Sequence, residues 1–217
     1  AIIYISFVAY AQEDMKKLIA YSSVAHMGFV TLGIFLVFNL LGSNSSAAVI
    51  GLEGAMIQMI SHGLISAALF FCIGIIYKHS KSRLLKDNYG VAKFMPIFSF
   101  MMIFFLMANS GLPGTSGFVG EFLVITSSLG SSFLFGFLAA TSLLLSASYS
   151  LKMGKNVLFG DNSKNTQGYI ECDLNEKIVL GILIIFVLYL GIIPDYLFKI
   201  IDQSVIGIVE SVSAGKI

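Results

Sequence analysis

The chain has 217 residues, of which 57% are hydrophobic and only 12% are charged, and its formal net charge is +1. An ordinary soluble domain carries about 25% charged residues, so this composition excludes a soluble fold and predicts an integral membrane protein. The Lys and Arg side chains are scattered between apolar segments and form no basic face interleaved with aromatic residues. We therefore expect the lipid bilayer, and no nucleic acid, as the partner.

Apolar runs long enough to cross a bilayer follow one another along the chain, since a hydrocarbon core needs roughly 20 apolar residues per helix. Residues 1–11 form an apolar run that opens at Ala1 without an initiating Met, and we interpret them as the truncated end of a first span. Five complete spans are predicted after it, at residues 18–41, 55–77, 94–130, 132–151 and 178–193. The predicted fold is one all-α domain over 1–217, a polytopic transmembrane helix bundle.

Positive charge is concentrated in three of the predicted loops. Eleven of the thirteen Lys and Arg residues lie around Lys16 and Lys17, between residues 78 and 93, and between residues 152 and 177. The remaining two are Lys199 and Lys216. Because short loops rich in Lys and Arg stay on the cytoplasmic side of a membrane, we predict that all three loops face the cytoplasm or the mitochondrial matrix.

The span predicted at residues 94–130 is too long for one straight crossing. At 1.5 Å per residue it would measure about 55 Å, nearly twice a hydrocarbon core of ~30 Å. Its middle contains Gly111, Pro113, Gly114 and Gly117, and a proline there removes a backbone donor and clashes with the preceding turn. We predict a discontinuous helix, of the kind that transporters place at their ion sites.

Glu121 is a lone carboxylate that follows this break within an apolar run. An ionisable side chain at the centre of a membrane helix costs at least ~2.5–3.5 kcal/mol on insertion scales, so it indicates an ion or proton path by default. An ion pair, or a side chain that reaches the interface, is the structural alternative for Glu121.

His26 and His62 lie within the two spans that precede the break. Imidazole titrates near neutral pH and can exchange protons through both ring nitrogens, so the two residues could form a proton relay with Glu121. The alternative is that each His is a buried donor in a hydrogen bond between helices, which commonly serves packing.

Two further polar positions have structural interpretations. The stretch Gly114 to Gly117 spells the G-x-S-G of a serine hydrolase, but Ser116 would need a base within hydrogen-bond reach, and every His in the sequence precedes it. Tyr149 and Lys152, at the inner end of the span 132–151, could guard an entrance, although we expect them to be interfacial anchors.

Four motifs together resemble one family. Residues 12–23, 25–28, 58–63 and 111–122 are similar to the antiporter-like membrane subunits of proton-pumping NADH:quinone oxidoreductase, respiratory complex I. The similarity is greatest to the chain M, or subunit 4, branch, because the sister chains L and N usually place Lys near the position of Glu121. The resemblance covers the chain from about Gln12 to Phe122.

The resemblance implies that this chain is the C-terminal half of a proton-translocating subunit, with no redox chemistry, catalytic residue, cofactor or metal of its own. It assigns the outlet proton site to Glu121 and relay roles to His26 and His62. NAD, FMN, iron–sulfur clusters and quinone are expected in partner subunits, and the partners include the sister antiporter-like chains. The membrane would be the mitochondrial inner membrane or the bacterial plasma membrane.

Two other functions stay open at this point. A subunit of a multi-subunit sodium/proton antiporter would share the same architecture, and its neighbouring chains would distinguish it. A structural spacer subunit would use the polar residues for assembly alone.

Overall fold

The structure is a computed structural model and describes residues 1–40, 43–160 and 168–215. These residues form an all-helical bundle, which confirms the all-α part of the predicted fold class. The α-helices are α1 (Ile2–Tyr10), α2 (Met15–Leu40), α3 (Ser45–Ser80), α4 (Pro96–Asn109), α5 (Ser116–Ser131), α6 (Phe133–Phe159), α7 (Leu174–Ile192) and α8 (Asp195–Ser213). Two short 3-10 helices, Leu85–Asn88 and Val91–Lys93, precede α4. Helices α2, α3, α6 and α7 are long and apolar enough to cross a membrane.

The helices extend beyond the apolar runs that predicted them. Helix α3 begins at Ser45 rather than near Ala55, because the Asn44 side chain accepts a hydrogen bond from the backbone of its first turn. Helix α6 continues to Phe159, so Lys152 lies in a helix and not in a loop. Apolar composition predicts the part of a helix that lipid can cover, whereas capping sets where the helix ends. Residue 41, the predicted end of the first complete span, lies outside the described residues.

Helix α8 was not predicted from the sequence. It is amphipathic, and its buried residues Ile201, Val205 and Val209 recur every fourth position on one face. That face packs on an apolar cluster supplied by α2 and α3. A search for long apolar runs cannot find such a helix, because a helix that buries one face needs only about three or four apolar residues in every two turns.

The cation-rich segments meet at one end of the bundle. Residues 13–15 pair with residues 83–85 through the backbone bonds Met15 N–H to Arg83 C=O (2.9 Å) and Leu85 N–H to Glu13 C=O (2.8 Å). Lys78 bridges to the segment before α7, and Glu171 accepts hydrogen bonds from the N-terminus of α4. This proximity supports a shared side of the membrane. Lys164 and Lys216 lie outside the described residues.

We call the polar residues at this end the loop cluster. Its members are Lys78, Glu171, Asp173 and Glu176. Lys78 Nζ lies 3.0 Å from Asp173 Oδ2 and 3.2 Å from Glu176 Oε1. Asp173 and Glu176 also form a capping box at the start of α7.

Candidate functional site

The break predicted near residue 111 separates α4 from α5. Gly111, Pro113 and Gly114 lie between the two helices, whereas Gly117 lies in the first turn of α5 and not in the break. Gly111 and Gly114 have φ angles of 78° and 91°, a left-handed conformation that glycine adopts without steric cost. Gly117 serves close packing instead: an added Cβ would lie 2.9 Å from the carbonyl oxygen of Ala108.

Gly111 also makes room for the carboxylate of Glu121. A Cβ built on Gly111 would lie 2.9 Å from Glu121 Oε2, closer than real side-chain carbons approach. The break therefore brings the backbone of the α4–α5 turn directly against the carboxylate, and a larger residue at Gly111 would displace one of them.

Glu121 is buried and paired with His26. Glu121 Oε1 lies 2.7 Å from His26 Nδ1, and the exposed fractions of the two residues are 2% and 4%. Gln58 Nε2 donates a second hydrogen bond, of 3.3 Å, to the same oxygen. This is the geometry of the ion-pair alternative that the sequence left open for Glu121. The partner of Glu121 is the imidazole of His26 on α2. Removing two such groups from water is costly unless their charges and hydrogen bonds are matched.

The second carboxylate oxygen remains without a protein partner. Among the described residues, Glu121 Oε2 and Gln58 Oε1 are buried and accept no hydrogen bond. Both residues line a cavity of about 10 Å³, together with His26, His62 and Asn109. A cavity of this size admits about one water molecule when polar groups surround it.

His62 lies beside this pair without bonding to it. The His62 and His26 ring centroids are 5.6 Å apart with an interplanar angle of 35°. His62 hydrogen-bonds to Ser66 Oγ, one turn along α3. The structure thus brings all three predicted site residues, Glu121, His26 and His62, around one cavity.

Tyr149 is part of the same site, and the expectation that it anchors the interface was wrong. Its side chain is fully buried, and its hydroxyl lies 3.2 Å from His26 Nε2 and 3.0 Å from Ser22 Oγ. Lys152, three residues later, reaches the carbonyl oxygen of Tyr10 instead. Helix α6 continues beyond the predicted end of its span, so Tyr149 lies inside the bundle.

We call this group the buried site. It consists of Glu121, His26, His62, Gln58, Tyr149, Ser22 and Asn109. Sequence reasoning missed Gln58, Ser22 and Asn109 as functional candidates and expected Tyr149 at the membrane interface. Gln58 carried a usable signal, because it precedes His62 by four residues and so shares its helix face.

The serine-hydrolase alternative finds no support in this geometry. Ser116 Oγ is buried and has no hydrogen-bond partner among the described residues, so no base lies within reach of it. The described residues also contain no group of three or more His, Cys, Asp or Glu side chains that could hold a metal ion.

The sequence and the structure are similar to those of complex I subunits. A family model described as "NADH:quinone oxidoreductase/Mrp antiporter, TM" matches residues 1–150. NADH-quinone oxidoreductase subunit M of Rhodobacter capsulatus is 43% identical over 99% of this chain and 40% of the relative. NADH-ubiquinone oxidoreductase chain 4 of Marchantia polymorpha is 42% identical over 97% of this chain and 41% of the relative. These names confirm the predicted resemblance to the chain M, or subunit 4, branch.

A solved structure shows the same fold. A chain of respiratory complex I from Thermus thermophilus superposes with a TM-score of 0.84 and 24% identity, over 98% of this chain and 42% of that chain. The chain spans about two-fifths of the length of the curated relatives that it matches. It is an integral membrane protein, and it belongs to the NADH:quinone oxidoreductase/Mrp antiporter transmembrane family.

Proposed function

We propose that this chain moves protons across the membrane as part of a subunit of NADH:quinone oxidoreductase. The observation that carries the proposal is the buried Glu121–His26 pair at the helix break, with one carboxylate oxygen facing a water-sized cavity. The oxidation of NADH and the reduction of quinone would take place in partner subunits that hold NAD, FMN and iron–sulfur clusters. The names of the relatives support this assignment.

The proposed membrane topology has five complete spans after a partial one. Helices α4 and α5 together would form a single discontinuous span, because each is shorter than a bilayer crossing needs. The cation-rich end would face the cytoplasm or matrix. The sister antiporter-like chains of the complex are the expected neighbours, in the mitochondrial inner membrane or the bacterial plasma membrane.

The geometry of the buried site supports a proton relay. A water in the cavity could donate to Glu121 Oε2 and Gln58 Oε1 and so connect His62 to the carboxylate. When His26 carries two protons and His62 also gains one, two positive charges lie at the ring-centroid distance of 5.6 Å. Repulsion between like charges then favours transfer of the His26 Nδ1 proton to Glu121 Oε1. Glu121 is the proposed outlet, which releases the proton toward the outer side.

Proton pumping by the assembled complex tests the proposal. We expect Glu121→Ala to assemble but to lose most NADH-driven proton pumping in sealed vesicles. Glu53→Gln is the matched control, because Glu53 is another carboxylate on an apolar helix, beside Asp202 and outside the buried site; its pumping should equal that of the wild type. Full pumping by an assembled Glu121→Ala complex would overturn the proposal.

The two alternatives make different predictions. The family model also covers Mrp antiporters, and an antiporter subunit would support sodium-driven proton exchange without NADH oxidation. A spacer subunit would show altered assembly in Glu121→Ala and His62→Ala, with normal pumping in whatever assembles. Copurification with flavin and iron–sulfur subunits favours the complex I assignment.

A further inference from the structure

A second line of hydrogen bonds leads from His26 away from Glu121 and ends at Asn109. His26 Nε2 lies 3.2 Å from the Tyr149 hydroxyl, which lies 3.0 Å from Ser22 Oγ. Asn109 Nδ2 lies 3.1 Å from Ser22 Oγ. All of these side chains are buried, with exposed fractions of 4% or less. Water therefore cannot replace a missing partner cheaply, and each hydrogen in the line needs an acceptor.

In one arrangement, every hydrogen of this line points toward Glu121. The Asn109 amide nitrogen donates to Ser22, the Ser22 hydroxyl donates to Tyr149, and the Tyr149 hydroxyl donates to His26 Nε2. His26 is then neutral, carries its proton on Nδ1, and donates it to Glu121 Oε1 at 2.7 Å. A neutral imidazole has one donor and one acceptor nitrogen, so the bond at Nε2 fixes the tautomer.

The opposite arrangement suits a His26 that carries two protons. Its Nε2–H must then donate to the Tyr149 oxygen, so the Tyr149 hydroxyl turns toward Ser22 and the Ser22 hydroxyl turns toward Asn109. Asn109 has an acceptor ready, because its Oδ1 lies 3.5 Å from Ser22 Oγ. Only hydroxyl rotations are needed, and no proton passes along the line.

We infer that Asn109 is a positioning residue for proton exchange at His26. A primary amide presents both a donor and an acceptor to Ser22. When His26 is neutral, the Tyr149 hydroxyl can therefore donate to Nε2. When His26 is charged, the Tyr149 oxygen can accept from Nε2–H, because Ser22 can then donate to Asn109. The inference deepens the proposed function and rests on it. Asn109 is the last residue of α4, directly before the break that holds Gly111 against Glu121, so both sides of the His26–Glu121 pair depend on where this helix ends.

The amide also ends the line. Asn109 Nδ2 donates to Ser150 Oγ at 3.2 Å on its other side, and an amide nitrogen does not accept a proton in exchange. The line therefore favours one or the other protonation state of His26 and supplies no proton to it. The titratable side chains that lie against His26 are Glu121 on α5, His62 on α3 and Tyr149 on α6. Tyr4 and Tyr10 on α1 are exposed.

Two substitutions at Asn109 test the inference because they should act in opposite directions. In Asn109→Asp the carboxylate can only accept, which supports the charged state of His26, so pumping by the complete complex should persist to higher pH. In Asn109→Leu the terminal acceptor is absent, so pumping should fall at lower pH than in the wild type. In each variant we expect the midpoint of the pH profile, the pH at which pumping is half-maximal, to move by about one unit, which is a tenfold change in proton concentration.

Other results would overturn the inference. A merely structural role for Asn109 predicts equal midpoints in both variants, or a shift of both in the same direction. If Asn109→Asp does not assemble, Tyr149→Phe replaces it, since loss of the hydroxyl removes the acceptor of the charged state and should move the midpoint to lower pH. An unchanged midpoint in Tyr149→Phe would contradict the inference.

A control and a second measurement separate this inference from the proposed function. Ser110→Ala changes the next residue, whose hydroxyl bonds to the carbonyl oxygen of Met107 within the same helix end, and its pH profile should match the wild type. If Glu121→Ala abolishes pumping but both Asn109 variants keep the wild-type midpoint, only the role of Asn109 is wrong. If Glu121→Ala pumps normally, the proposed function fails first.

Discussion

The buried site and the loop cluster both join charged side chains from different helices, but they differ in how completely those charges are matched. In the loop cluster, Lys78 reaches two carboxylates and Glu171 accepts several N–H groups. In the buried site, Glu121 has one matched oxygen and one without a partner in the described part of the chain. Exposed, matched pairs hold helix ends together at little cost. A buried, half-matched carboxylate is expensive, which is why we attribute a function to it.

The largest expected effect comes from filling the space beside Glu121. In Gly111→Ala the new Cβ would meet Glu121 Oε2 at 2.9 Å, and the φ of 78° disfavours any side chain. We expect a loss of stability of about 1–3 kcal/mol and a pumping defect close to that of Glu121→Ala. Thermal unfolding of the purified complex and pumping in vesicles measure the two effects.

Gly114→Ala is the matched control for this prediction. Its φ of 91° carries a similar backbone strain, but a Cβ there meets no atom of the described residues within 4 Å. We expect a comparable loss of stability with pumping retained. Equal pumping defects in the two variants would show that the contact with Glu121 is irrelevant and that only the strain of the break matters.

A smaller effect is expected at the loop cluster. Burial acts to raise the pKa of Glu171, but hydrogen bonds from Ile97 N–H, Cys172 N–H and Sγ, and Phe98 N–H outweigh it, so the pKa lies below its ordinary value of 4.5. Its stabilisation of α4 is therefore present above pH 4.5 and is lost as the pH falls through the lowered pKa.

Hydrogen exchange at the start of α4 measures this contribution. Glu171→Gln should reduce the protection of the Ile97 and Phe98 amides by about 1 kcal/mol or less at neutral pH. The variant should also lose the acid dependence of that protection. Wild-type protection that stays constant through the acid range would contradict the capping role of Glu171.

The smallest effect is expected for Lys78→Met. Lys78 is on the surface, where it pairs with Asp173 and Glu176. Because an exposed pair contributes little, assembly, pumping and melting temperature should all match the wild type. A pumping defect in this variant would remove the distinction between the loop cluster and the buried site.

The fold class and the residues around the break could be predicted from the sequence because both depend on residues that are close together in the chain. Apolar length predicts helices in a membrane, and glycine with proline predicts where one is interrupted. Helix α8 could not be found in this way, since it buries only one stripe of residues. Helix ends were also missed, because capping by Asn44 and Asp173 depends on side chains outside the apolar runs.

The buried site was predictable in its ionisable members and not in its neutral ones. Glu121, His26 and His62 stand out because a titratable group in an apolar helix is costly wherever it lies. Ser22, Gln58 and Asn109 look like ordinary packing residues until the tertiary fold places them beside the charges. Tyr149 was misjudged because its role depends on how far α6 continues and which face it turns inward, and neither follows from hydropathy.

The most direct test of the central claim is infrared difference spectroscopy of the complete complex during NADH-driven turnover. If Glu121 takes up and releases a proton, a carboxylic acid C=O band should appear and disappear with turnover, and that band should be absent from Glu121→Gln but present in Glu53→Gln. A difference spectrum that Glu121→Gln leaves unchanged in the carboxylic acid region would contradict the account.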